Sequence, residues 1–397
     1  MTLPLVARFG FAVVWRAIND NVKNLRGLQK DKKHGKMLPL EVVTLKPETK
    51  FLRIVKKTIE EEKFQKQYTI DNERNFIRDR KLSFSDAILY TIGNTRGSSC
   101  LEAYKFCEAI NCDSISDVAI RKARAKIAPE AFYELFLRTA EAVPQNKKYH
   151  GYQLIAVDGM KGELPKTPEF TEKYCHHDDK IPLFHTVAAY DVLNEVFLDA
   201  LFCFGGISEF EYGVSLVDQM APRNKDCPRI WVFDRGFPSL RLLQHLHQHN
   251  EKYVLRVSTS FLKEVNEFTN SKAVDKEVQI SFDKRRMATN RVVSDGITEF
   301  SIRCVRVKLK ENTEEILVTN LNREEFPKRY IKEIYGLRWG IETSYNYLKH
   351  AVFIEEFTSR KENGIRQDFY STLLMNNFIT CVCGSVWADI PLKKNEN

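Results

Sequence analysis

Two short apolar runs, each closed by an aspartate, constrain this chain more than anything else in it: Gln153-Leu-Ile-Ala-Val-Asp158 and Arg229-Ile-Trp-Val-Phe-Asp234. Uninterrupted apolar runs of this length read as strands buried on both faces, which requires a sheet covered by helices on each side. An aspartate at the C-terminal end of such a strand stands at the sheet edge where α/β ligand sites form. Between the two runs lie two β-rich stretches, 184–191 and 195–204, with a turn at Asp191–Asn194 that suggests a hairpin, and then a helical stretch over 209–220. The second run is followed by a helix over 238–249 and a strand over 253–258. Residues from about 259 to 325 alternate polar and apolar, as in Phe300-Ser-Ile-Arg-Cys-Val-Arg-Val-Lys-Leu, and read as an antiparallel β insert. Its last strand, or the return to the main sheet, is 315–319. The expected class is therefore α/β, a mixed sheet with flanking helices.

The flanks differ. Residues 1–50 read as an irregular leader, with a basic run at 30–36 and Pro39 and Pro47 as punctuation. The apolar stretch from Leu3 to Ile18 contains Arg8 and Arg16 and no small-residue cleavage site, so it reads as neither signal peptide nor anchor. Residues 51–143 read as an all-helical domain, in which 116–127 forms a helix carrying Arg121, Lys122, Arg124 and Lys126. Such a helix is either a solvated positive face or a duplex-backbone contact. The catalytic part is expected over 150–397, its tail helix spanning 367–386. The nine cysteines are scattered with no CxxC pair, which argues against zinc ribbons and for small core hydrophobes in a reducing compartment. A net charge of +8 is a mild bias toward anionic partners. No apolar run reaches the roughly 18 residues of a membrane span.

A third carboxylate enters on the helix expected over 328–350. At about 100° per residue, Tyr335, Arg338 and Lys349 fall at roughly +20°, −40° and −20° from Glu342, so four chemically distinct side chains share one stripe. Alone, that stripe reads as a solvated face with an Arg338–Glu342 pair. Placed across an edge that already holds Asp158 and Asp234, it completes a cluster of three carboxylates. Such a cluster repels itself unless a hard divalent cation relieves it, which points to Mg²⁺ or Mn²⁺ and to in-line phosphodiester chemistry.

These residues carry a family resemblance. Tyr335, Arg338, Glu342 and Lys349 match the spacing Tyr-x2-Arg-x3-Glu-x6-Lys, Asp158 precedes a small residue, Gly159, and Asp234-Arg-Gly236-Phe237 matches Asp-x-Gly-Phe/Tyr. In these features the chain resembles the Asp-Asp-Glu (DDE) transposases of bacterial insertion sequences, of the insertion sequence 4 type, over roughly residues 50–385. The resemblance implies a ribonuclease H-like core, often with a β insert before the glutamate helix. It implies that Asp158, Asp234 and Glu342 are catalytic and bind two Mg²⁺, with Mn²⁺ able to substitute, and that Tyr335, Arg338 and Lys349 contact DNA phosphate. It implies cutting at transposon ends and joining to target DNA, double-stranded DNA as partner, a homodimer in the DNA complex, and a bacterial cytoplasmic, nucleoid-associated location without membrane. The alternative is a domesticated or decayed relative that binds DNA without transposing; a carboxylate-pair glycosidase is disfavoured by Arg338 and Lys349. Trp339 is expected to pack, with stacking on a base beside the site as the alternative, and Arg235 to pair with Asp234. The run Cys175-His-His-Asp-Asp179 reads as too crowded to hold one ion, and His245, His247 and His249 as surface residues.

Overall fold

A computed structural model of the chain describes residues 47–389, apart from 79, 95, 176–180, 207, 224–226, 290–291, 293–295, 298 and 311–312. The expected leader is thus outside the described residues up to residue 46, as are residues 176–179 of the Cys175–Asp179 run. The chain divides into two compact units, 1–144 with 347–397, and 145–346.

The described residues of the first unit are helical: α1 (Pro47–Glu60), α2 (Glu62–Tyr68), α3 (Phe84–Gly93), α4 (Ser99–Ile110), α5 (Asp117–Arg124) and α6 (Glu130–Ala140). Ser83 opens α3 with a reciprocal capping box to Asp86, and Ser116 caps α5 through Ala119 N. The long C-terminal helix, Glu362–Asp389, packs on α1, α3 and α6, with Phe51 and Phe378 in ring contact at 5.1 Å. The helical unit is therefore assembled from both ends of the chain. Its interior holds an ion cluster: the fully buried Asp368 is 2.8 Å from Arg124 and 3.2 Å from Arg96, and accepts from Thr358 N at 2.7 Å. Arg124, expected on an exposed basic face, is thus turned inward. The 117–124 helix is amphipathic, and its buried side needs a charge partner that the sequence pattern does not announce.

The second unit is built on one eight-stranded sheet: β1 (Gln153–Glu163), β2 (Leu183–Asp191), β3 (Val196–Phe204), β4 (Arg229–Phe233), β5 (Lys252–Val257), β6 (Asp275–Ser281), β7 (Glu299–Lys310) and β8 (Thr313–Thr319). The order is β3-β2-β1-β4-β5-β8-β7-β6. Among the described residues, only β1–β4 and β4–β5 pair in parallel. The helices of this unit are α7 (Pro168–Tyr174), α8 (Glu209–Met220), α9 (Leu240–Gln248), α10 (Lys263–Asn270), α11 (Lys284–Thr289), α12 (Lys328–Leu337) and α13 (Trp339–His350), the last running across the unit boundary; Glu362–Asp389 is α14. The 184–204 hairpin forms as read: Asp191 Oδ1 accepts from Leu193 N and Asn194 N, closing the turn.

Strand alternation sends successive side chains to opposite faces. Ile155, Val157, Trp231 and Phe233 face a core with α8 and α9. Leu154, Ile230 and Val232 face a second core with α12, through Ile331, Ile334 and Tyr335. One expectation is corrected here: β1 does not stop at Asp158; it runs on to Glu163 along β2, and only its pairing with β4 ends at Val157. Of the two readings of 315–319, the return to the main sheet is the one that forms: β8 pairs with β5, so β6–β8 extend the same sheet, with α10 and α11 between strands. The 328–350 helix tightens at Arg338, whose backbone stays right-handed helical at φ −51° and ψ −33°, so α13 continues from α12 after one residue.

Candidate active site

Alternation decides which way the aspartates point. Asp158 follows Leu154 and Ala156 on the α12 face of β1, and Asp234 follows Ile230 and Val232 on the same face of β4. Because β1 and β4 are parallel neighbours, with Val157 opposite Phe233, the next residue of each brings the two carboxylates to one edge. Glu342 arrives on the first turn of α13.

One guanidinium sits among the three. Arg338 Nη1 is 3.4 Å from Asp158 Oδ2, and its Nη2 is 4.0 Å from Asp234 Oδ2 and in a short hydrogen bond with Glu342 Oε1. Arg338 is buried, with only 6% of its surface exposed. Three carboxylates without a counter-charge would repel strongly; Arg338, one helical turn before Glu342, supplies one. Tyr335 is also buried, and its hydroxyl donates to Asp234 Oδ1 at 2.7 Å. Arg256 on β5 adds a weaker contact to the same oxygen at 3.5 Å and is fixed by Glu315 on β8 at 3.0 Å. Gly159 N donates to Asp158 Oδ1 at 2.9 Å, and Tyr345 on α13 donates to the Asp158 carbonyl at 2.8 Å.

The two aspartates are driven apart in acidity. Burial pushes Asp158 up to about 6, against the opposing pull of Arg338 and the Gly159 N–H; Glu342 and Asp234 push it the same way as burial. Burial also acts on Asp234, but the Tyr335 hydroxyl, the Arg235 N–H, Arg338 and Arg256 outweigh it and hold that carboxyl below its ordinary value. Tyr335 is raised by its own burial and by Asp234. An acid poised near neutrality beside one kept ionised is the arrangement that functional carboxylate pairs adopt.

The site residues read from sequence fall as follows. Asp158, Asp234, Glu342, Tyr335 and Arg338 meet at this edge. Lys349 falls in the first unit, where Nζ lies 3.3 Å from Glu355. Trp339 does not pack; it is 62% exposed. Arg235 pairs with Glu315 at 2.9 Å rather than with Asp234. The histidines of α9 are not simply surface. His245 Nδ1 and His249 Nε2 converge on Asp218 Oδ1 at 2.7 and 3.2 Å, fastening α9 to α8. These three groups lie close enough to hold an ion. His247 stacks on Phe300 with ring centres 4.1 Å apart. Arg256 and Glu315 were missed; the signal available was a charge inside each of two otherwise apolar buried strands.

A family model described as a transposase DDE domain matches residues 149–378. A curated protein assigned as the transposase of insertion sequence element IS4SA in Synechocystis sp. is 27% identical over 177 residues. That match takes in 43% of this chain and 45% of the relative, so the chain spans less than half the length of the curated protein it matches. Among solved structures, a cryo-EM structure of a piggyBac transposase synaptic complex with hairpin DNA is similar with a TM-score of 0.47 and 12% identity, over 87% of this chain and 77% of that one.

Proposed function

Because this chain belongs to the DDE transposase family, whose domain model matches residues 149–378, we propose that it cuts the ends of an insertion sequence and joins them to target DNA. The observation that carries the reading is the convergence of Asp158, Asp234 and Glu342 on the single buried guanidinium of Arg338. Residues this far apart in sequence, brought to one edge with net negative charge, form a hard-oxygen donor set that suits Mg²⁺ or Mn²⁺. Bound there, two such ions would activate the attacking oxygen and stabilise the leaving one.

The chain's own residues do the rest. The Tyr335 hydroxyl and Arg256 keep Asp234 ionised and fixed. Arg338 balances the carboxylates until a metal cation takes its place, and a guanidinium freed at that edge is suited to a bidentate grip on phosphate. Lys349 is the expected point-charge contact to the same strand, and the exposed Trp339 offers a face for an unpaired base. The order β3-β2-β1-β4-β5 with β2 antiparallel supports the ribonuclease H-like core that the resemblance implies.

In the helical unit, a cavity of about 830 Å³ is lined by Arg74, Arg78, Arg80, Lys81, Lys122 and Lys126, which supports duplex binding by that unit. A homodimer in the DNA complex and a nucleoid location belong to the same reading, since two ends must be joined together. No helix among the described residues is long and apolar enough to cross a membrane. The deciding experiment is cleavage of the cognate ends with Mg²⁺. Wild-type chain should cut and Glu342→Ala should not; cleavage by Asp234→Ala at wild-type rate would overturn the assignment, and end binding with no cleavage by the wild type would favour a DNA-binding relative.

A further inference from the structure

A fourth carboxylate lies against this edge from the other side of the sheet. Glu209 opens α8, and its two oxygens are wedged between the glycines that follow the two aspartates. A methyl group on Gly159 would stand 2.6 Å from Oε1, and one on Gly236 would stand 2.7 Å from Oε2. Both distances are well inside van der Waals contact, so neither position accepts a side chain while Glu209 is where it is. Among the described residues, no hydrogen bond or ion pair reaches this half-buried carboxylate.

Geometry limits what a partner for it can be. An oxygen 2.6 Å from a glycine Cβ is at most about 4 Å from its Cα, and the Cα of Asp158 is about 3.8 Å farther on. From Asp158 onward β1 has no β4 partner, so the sheet no longer separates its two faces there. We infer that Glu209 is a fourth ligand of the divalent-metal site, reaching the ion at Asp158 directly or through one of the waters such ions retain. The glycines of Asp158-Gly159 and Asp234-Arg-Gly236 are then explained together: they leave the opening through which Glu209 looks. This rests on the carboxylate edge being a metal site. The plainer role for Glu209 is that of an acid in the first turn of α8, favoured by the helix dipole and shared with Glu211.

The test is Mn²⁺ affinity of the full chain without DNA, by calorimetry, with thermal melts alongside. Glu209→Gln should weaken Mn²⁺ binding by about 10- to 100-fold, and Glu211→Gln should leave it unchanged. Gly159→Ala, which keeps the carboxylate but fills the opening, should weaken it in the same direction and covers the case in which Glu209→Gln fails to fold. Mn²⁺ binding by Glu209→Gln within about twofold of wild type, with Asp158→Asn abolishing it, would overturn the inference and leave the three-carboxylate site intact. Unchanged binding in Asp158→Asn would overturn the metal-site reading itself. A helix-dipole role alone would lower the melting temperature of both glutamine variants and move neither affinity.

Discussion

Arg338 is the residue on which the charge balance of the carboxylate edge turns. It is more buried than any of the three acids and touches all of them, so Arg338→Ala removes the counter-charge and leaves the acids facing one another. That change should cost roughly 2 kcal/mol or more of stability in metal-free buffer, less than a fully buried pair would because the acids are partly solvated. Mg²⁺ should then stabilise the variant more than it stabilises wild type, since the ion takes over the role of the lost guanidinium. Thermal melts with and without Mg²⁺ check this; an equal shift in both proteins would mean that the acids do not share one ion. Arg338 was legible in sequence as a stripe partner of Glu342. Its place among three acids was not, because that depends on how the helix is laid against the strands that carry Asp158 and Asp234.

At the scale of elements, two buried polar contacts set the stability of the helices. His247 on α9 is stacked on Phe300 of β7, and burial, with repulsion from Lys252, pushes it down to about 4. The unfolded chain therefore takes up a proton as pH falls below about 6.5 that the folded chain refuses until about 4. Stability is lost across that window and is unaffected above it. His247→Phe keeps the ring and removes the proton site, so urea midpoints at pH 7 and 4.5 should differ less in the variant than in wild type, by on the order of 1 kcal/mol. In the helical unit, Asp368 holds Arg124 and Arg96 together. Asp368→Ala strands two buried guanidinium groups and should cost about 3–5 kcal/mol. A loss below 1 kcal/mol by chemical denaturation would mean that water reaches them.

The whole molecule is a basic chain proposed to bind a polyanion, so binding to its DNA ends should weaken steeply with salt. Deleting residues 51–143 is a poor test of which part binds, because it also strips α14 of α1, α3 and α6. Neutralising Lys122 and Lys126, which line the basic cavity, is the better one. Each lost phosphate contact should lower the slope of log affinity against log salt by about 1, and an unchanged slope would move the contact elsewhere. Legibility followed locality. The hairpin at Asp191–Asn194, the paired runs ending on Asp158 and Asp234, and the Tyr-Arg-Glu-Lys spacing could be read directly, because apolar periodicity and turn chemistry act between near neighbours. Which of the two readings of 315–319 held, the inward turn of Arg124 and the approach of Glu209 could not, because each depends on a partner dozens of residues away. The sequence by itself determined the strands, the alternation that faces both aspartates the same way, and the family. Only the tertiary structure decided which charges meet, since a carboxylate's partner is set by packing across the sheet and not by its neighbours in the chain.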